Sequence, residues 1–243
     1  MREESKNILN PEYLPKHIGI IMDGNGRWAT NRNLPRFMGH KEGSLRVLDI
    51  VKKCYELKIP YLTLFAFSTE NWTRPESEVK NLFLLLRGFI EKYIDEMNEN
   101  EIRLNVIGDI SPLKEDLRKS IENSLELTKN NKKMVVNIAL NYGGQDEIIM
   151  ATKKIAEEVK KGNLLPEEIS KETFESYLYT AHQPPMDLMV RPSGELRVSN
   201  FTLYQMAYSE FWFSDVLWPD FTPEVLEKAL GDYMSRNRRF GGI

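Results

Sequence analysis

The chain has 243 residues, 41% hydrophobic and 28% charged, which suits a large globular domain and excludes a disordered or fibrous one. A formal net charge of −3 excludes a broad nucleic-acid footprint, so any anion site must come from local placement of arginines. The single cysteine, Cys54, excludes an internal disulfide and a cysteine-rich zinc site; it reads as a small buried hydrophobe on a helix.

Residues 1–16 read as a polar N-terminal tail without the apolar core of a signal peptide. The greasiest segment, "NLFLLLRGFI", is too short to span a bilayer and carries Arg87. The expected location is therefore cytoplasmic. From there, apolar runs alternate with helical periodicity. Strands are expected at Ile18–Met22, Tyr61–Phe67, Ile102–Ile107, Met134–Leu140, Leu188–Val190 and near Phe211–Phe213. Between them the spacing predicts helices over Gly39–Leu57, Glu76–Met97, Leu113–Leu127, Glu147–Val159, Lys171–Tyr179 and Pro223–Met234. Ser111-Pro112 and Thr222-Pro223 each offer a helix start with a first-turn proline. Near-continuous apolar strands alternating with helices indicate one α/β domain, a parallel sheet with helices on both faces. The helix Glu76–Met97 is apolar on more than one face. It fits either core burial or an apolar slot for a long hydrocarbon, where a five-carbon unit would gain ~3–4 kcal/mol.

In such sheets ligands collect beyond the carboxyl ends of the strands. The first strand is followed by Asp23-Gly24-Asn25-Gly26-Arg27, and the second by "FSTENWTRP". "NYGGQDE" follows the fourth and "RPSGELRVSN" the fifth, and Glu210 lies by the last. Glycines let backbone approach an anion, and arginines supply forked donors for phosphate oxygens. Arg27, Arg36, His40, Arg74, Arg191 and Arg197 could neutralise two highly charged groups. Asp23 and Glu210 run against that trend unless a cation intervenes, which points to Mg²⁺ held by few carboxylates and by phosphate oxygens.

Gly24 to Ala29 also fits G-x-G-x-x-A, the dinucleotide fingerprint. That reading wants a compact βαβ unit of about thirty residues with an acid about twenty residues after the glycines. Here the second strand starts near Tyr61, and its terminal acid, Glu70, comes more than forty residues after Gly26. No G-K-[ST] follows the glycines, so a P-loop fails too. The residues favour diphosphates over a nicotinamide cofactor.

Together "HIGIIMDGNGRWA", "FSTENWTRP", "NIALNYGG", "MDLMVRPSGELRVSNF" and "AYSEFWFSDVLWPDF" resemble the cis-prenyltransferases, most closely the bacterial undecaprenyl diphosphate synthases. The resemblance runs from about His17 to Gly242, so 17–243 is taken as the catalytic domain. It implies a homodimer with a six-stranded parallel sheet and a deep apolar tunnel. It implies Mg²⁺-dependent condensation of isopentenyl diphosphate onto an allylic starter such as farnesyl diphosphate. New Z double bonds would lead to a long polyprenyl diphosphate such as undecaprenyl diphosphate, a lipid-carrier precursor for cell-wall synthesis. A lipid product allows peripheral contact with membranes.

Residue by residue, Asp23 matches the catalytic, metal-associated aspartate and Glu210 a metal ligand. Gly24, Asn25, Gly26, Arg27, Arg36 and His40 match the allylic diphosphate cradle, with Trp28 beside it. Ser68, Thr69, Glu70, Asn71, Trp72 and Arg74 match the loop between the substrates. Asn71 stands where a part in proton removal is assigned; an amide is a poor base, so positioning or relay to a phosphate oxygen is the alternative. Arg191, Arg197, Val198 and Ser199 match the isopentenyl diphosphate site, and Arg239 a C-terminal arginine that reaches the partner subunit. Pro192, Tyr204 and Gln145 depart from the common pattern.

Overall fold

The computed structural model describes residues 9–236. Six strands form one sheet: β1 (His17–Ile21), β2 (Tyr61–Ser68), β3 (Ile102–Ile107), β4 (Met134–Tyr142), β5 (Leu188–Arg191) and β6 (Glu210–Phe213). Their spatial order is β3-β4-β2-β1-β5-β6, and every pairing is parallel. The chain leaves β1 toward β2 on one side and returns through β5 on the other. That makes the gap beyond the carboxyl ends of β1 and β5 the switch point at which such sheets bind ligands.

Alternation along each strand supplies both faces. Ile18, Ile20, Leu62, Leu64, Val136, Ile138, Leu188 and Val190 turn to one face, with α2 (Arg36–Glu56) and α7 (Pro223–Met234) packed over them. Ile21, Phe65, Ala139 and Met189 turn to the other, under Met186, Phe201 and Met206. The parallel sheet is thus buried on both sides, as its apolar runs require. α3 (Glu76–Glu99) also covers the first face, and α4 (Glu115–Thr128) packs on it through Leu117 and Ile121. α5 (Gly144–Lys161) and α6 (Lys171–Ser176) lie between β4 and β5 in the chain. Cys54 is fully buried on α2, where the apolar surroundings push its thiol up to about 12.

Three local expectations change. The glycine-rich stretch after β1 is itself a short helix, α1 (Asn25–Thr30), begun by Gly24 at φ 100°. Ser111-Pro112 lies in a turn, and α4 starts only after Lys114. From Leu9 the segment read as a tail packs on the domain: Leu9 and Leu14 lie against the core, and Lys16 N–H donates to Asp187 at 2.8 Å.

α1 reaches the site because α2 lets it come close. A Cβ on Gly39 would stand 1.9 Å from the Asn25 carbonyl oxygen, and one on Gly43 would stand 2.1 Å from Asn25 Oδ1. Backbone at Asn25 cannot yield without moving the loop that carries Asp23. Gly39→Val is therefore expected to cost at least about 2 kcal/mol through overpacking and to lower Tm by several degrees. A melting curve that matches the parent would show that α1 can shift freely.

Candidate functional site

The switch point holds an ion pair. Asp23, just past β1, accepts from Arg191 Nη2 at 2.9 Å and from the Gly24 N–H at 2.6 Å. Arg191, at the end of β5, is only 4% exposed, and its other terminal nitrogen donates to the Ser199 hydroxyl at 2.8 Å and to the Arg197 carbonyl. Burial works to raise the Asp23 carboxyl. Hydrogen bonds from Arg191 and Ser193, the Arg191 charge and the Gly24 N–H outweigh it and hold the group below its usual value. Asp23 is therefore an anion, and its side chain remains 31% exposed toward the cleft. Arg27, one turn on, donates to the Ser193 carbonyl at 2.9 Å and lies 3.4 Å from Glu195, which also pairs Arg197.

A second cation group comes from α2 and from Arg74, just before α3. Arg36, Arg74 and His40 converge on one oxygen of Glu78, at 3.3, 3.2 and 3.7 Å. Gly26 makes room for this: a Cβ there would meet the Arg36 guanidinium at 3.1 Å. Burial, then the Arg74 charge, lower the His40 pKa to about 4 against the pull of Glu78. His40 is thus neutral near pH 7, able to donate one hydrogen bond without adding charge.

Between the two groups, Ser68 caps a short 3-10 turn, Thr69–Thr73. Asn71 Oδ1 accepts the Ser68 N–H at 3.1 Å, which commits its acceptor to the turn and leaves its amide N–H₂ as the functional end. Glu70 bonds the Asn200 side chain at 3.1 Å. Burial opposes ionisation of Glu70; its own N–H, Asn200, Ser68 and Thr69 outweigh that and hold it below the usual carboxylate value.

One cleft of about 760 Å³ gathers Asp23, Gly24, Asn25, Gly26, Arg27, Arg36, His40, Ser68, Glu70, Asn71, Arg74, Arg191, Arg197 and Ser199. Four expected residues lie outside its lining. The Trp28 indole turns to Asp220 at 2.8 Å, with Arg32 stacked 4.3 Å from the ring. Thr69 reaches Asp146, Trp72 bonds Asn141 at 2.7 Å, and Val198 packs on the core near Phe201. Glu210 is also displaced. It is level with Leu188 at the start of β6, so it lies at the amino edge of a parallel sheet, whereas Asp23 follows the carboxyl end of β1. There Glu210 pairs with Arg236 at 2.8 Å, and one chain does not bring it to Asp23. Arg239 lies outside the described residues.

Sequence reasoning missed Glu78, Glu195 and Asn200. Glu78 stands four residues after Arg74 on a helix start, an ion-pair spacing that could have flagged it. Asn200 directly follows Ser199 in a segment already singled out.

Below its polar mouth the cleft turns apolar, lined by Val47, Leu64, Leu82, Leu85, Leu86, Phe89, Ile138 and Leu140. A second cavity of about 330 Å³ adjoins it between α2, α3 and the sheet, and shares Val47, Leu86, Phe89 and Ile138. The two-faced apolar pattern of α3 thus serves both core and cavity: Ile90 is buried, while Leu86 and Phe89 are half-buried against open space.

Residues 21–241 match the Prenyltransf family model, that of undecaprenyl diphosphate synthase. An isoprenyl transferase of Clostridium perfringens is 52% identical over 99% of this chain and 96% of that protein. One from Clostridium tetani is 49% identical over 99% and 94%. Among solved structures, lavandulyl diphosphate synthase from Lavandula x intermedia, in complex with dimethylallyl diphosphate, superposes with a TM-score of 0.91. It is 36% identical, over 95% of this chain and 99% of that one.

Proposed function

Given that the chain belongs to the undecaprenyl diphosphate synthase family and is a cis-prenyltransferase, we propose that its cleft joins isopentenyl diphosphate to an allylic diphosphate such as farnesyl diphosphate. The product would be a long Z-polyprenyl diphosphate of the undecaprenyl type. The observation that carries this reading is a polar mouth with five arginines, Arg27, Arg36, Arg74, Arg191 and Arg197, opening into an apolar throat. A diphosphate head with a hydrocarbon tail fits both halves. The neighbouring lavandulyl synthase fold, seen with an allylic diphosphate, supports the same substrate class.

Arg36, Arg74, Arg27 and the neutral His40 would take the allylic diphosphate, with Gly26 keeping the approach open. Arg197 and Ser199 would take isopentenyl diphosphate. Asp23 fits a magnesium site: it is ionised, part-exposed and flanked by Arg191 at 2.9 Å and Arg27 at 3.6 Å. No cluster of three acidic, histidine or cysteine ligands occurs among the described residues, which suits an ion that draws its remaining ligands from diphosphate and water. Mg²⁺ bound there would stabilise the charge of the departing diphosphate. The arginines hold the two reacting carbons in register and stabilise the same leaving group. As the new carbon–carbon bond forms, the allylic carbon–oxygen bond breaks and the isopentenyl unit loses a proton. Asn71, with its oxygen committed to Ser68, is a donor to substrate in this scheme, and an oxygen of the departing diphosphate takes the proton.

A homodimer is part of the same reading. It is supported by edge strand β6, where Phe211 is 39% exposed and the preceding Tyr208 68% exposed. No helix among the described residues is long and apolar enough to cross a membrane, which accords with a cytoplasmic enzyme that passes lipid to the bilayer.

Purified protein with Mg²⁺, farnesyl diphosphate and labelled isopentenyl diphosphate should yield extended prenyl products, and excess EDTA should stop turnover. Full turnover in EDTA would remove the metal, and an NADH-induced thermal shift without condensation would favour a dehydrogenase. Arg197→Ala is expected to raise KM for isopentenyl diphosphate tenfold or more while leaving that for farnesyl diphosphate within about threefold. Equal effects on both would contradict separate diphosphate sites.

A further inference from the structure

Gly143 and Gly144, at the start of α5, lie against Asn200. The Gly144 N–H donates to the Asn200 carbonyl at 2.6 Å, and the Gln145 N–H donates to Asn200 Oδ1 at 2.9 Å. A Cβ on Gly143 would stand 2.8 Å from Asn200 Nδ2, and one on Gly144 3.0 Å from its carbonyl oxygen. Gly143 thus clears space for Asp146, 2.4 Å from the same Cβ, as well as for Asn200, and Gly144 for Leu203 at 2.8 Å as well as for the Asn200 carbonyl. Ser199 and Asn200 sit at φ 48° and 60°, the left-handed region that asparagine tolerates better than most residues. The other end of the Asn200 side chain, its amide N–H₂, spans to Glu70 at 3.1 Å.

We propose that Asn200 is a positioning residue that fixes the spacing between the Glu70 loop and the Arg197–Ser199 segment, anchoring both to the start of α5. The inference rests on the two-substrate reading of the cleft. In that reading the two loops carry opposite sides of the reaction, so a shift between them changes how the isopentenyl double bond meets the allylic carbon. The separation matters more than either contact, because a misplacement of about 1 Å can cost about a hundredfold in rate. A second tie reinforces the same anchor: Thr69, beside Glu70, donates to Asp146 in the first turn of α5 at 3.2 Å. Asn200 lines the cleft, yet its carbonyl and both ends of its side-chain amide bond protein partners, which separates it from Arg197 and Ser199.

Asn200→Asp isolates the span to Glu70. The aspartate keeps the backbone carbonyl and an oxygen for Gln145, and it replaces the donor toward Glu70 with a like charge. Its expected effect is a tenfold or greater fall in kcat/KM for isopentenyl diphosphate, with KM for the allylic substrate within about threefold. Glu70→Gln returns a donor to the pair, so the double variant should lie well above the product of the two single effects, by fivefold or more. Wild-type kinetics in Asn200→Asp, or strictly multiplicative effects in the cycle, would overturn the proposal. The same four proteins melted without substrate test the tie itself: Tm losses should be non-additive, and additive losses count against it. Should wild type fail to condense the two diphosphates, the two-substrate reading fails, while the melting cycle still decides whether Asn200 and Glu70 act as one joint.

Discussion

Asp23→Asn is expected to leave the protein folded and to lower kcat by about a hundredfold or more, with only several-fold changes in the affinity for either diphosphate. The amide keeps the shape of the carboxylate but only one acceptor, so it retains either the Arg191 bond to Oδ2 or the Gly24 N–H bond to Oδ1 and loses the other. Arg191 also retains the Arg197 carbonyl and the Ser199 hydroxyl, so the switch point stays assembled. What is lost is the negative charge that the surroundings hold ionised, and with it the means of fixing a divalent cation beside the leaving group. Asp23→Ala is the harsher variant, because it leaves an almost fully buried guanidinium without its carboxylate and should lower Tm further. The measurements are a condensation assay, direct titration of each diphosphate and a melting curve. Turnover of Asp23→Asn within a few-fold of wild type would transfer the catalytic role to Glu70.

Val47→Trp should truncate the products. Val47 on α2 faces Leu86, Phe89 and Ile138 where the two cavities meet, and an indole there would fill the junction. The first addition takes place in the polar mouth and should proceed within about threefold of the parent rate. Products long enough to reach the second cavity should fall at least tenfold, each five-carbon unit barred from it forgoing ~3–4 kcal/mol of burial. Sizing of radiolabelled products reads the result directly. An unchanged length distribution would place the growing chain elsewhere.

The strands were legible because each is a short, largely apolar run, and β1, β2 and β5 carry their chemistry at the carboxyl end. His17–Ile21 is shifted by one residue at both ends from the expected strand, and Tyr61–Ser68 runs one residue longer than expected. The site was legible where function depends on strand ends, as at Asp23, Ser68 and Arg191. It was illegible where residues separated in sequence meet. Glu78 joins Arg36 and His40 across forty residues, and Asn200 joins Glu70 across 130. Position next to a strand does not say which end Glu210 occupies; only the register with Leu188 puts it at the amino edge. Trp28 and Trp72 lie within the right segments, but their indole N–H groups find partners in Asp220 and Asn141, a choice no local pattern encodes. α1 escaped detection since Gly26 within it and Gly24 at its cap argue against a helix, and its support comes from the glycine face of α2.

The open space under α3 has a thermodynamic consequence. Half-buried Leu82, Leu86 and Phe89 face a volume that no side chain fills, so the empty enzyme carries an unfinished core that a hydrocarbon tail would complete. Each elongation then adds stability to the complex, and Tm should climb with the length of the bound prenyl chain. The same gain works against departure. Release of a finished chain into water would surrender the accumulated burial energy, so the last step is an extraction whose rate depends on a receiving apolar phase. Turnover would then be governed by what lies outside the protein, and detergent micelles or lipid vesicles should speed multiple turnovers while leaving a single round of condensation untouched.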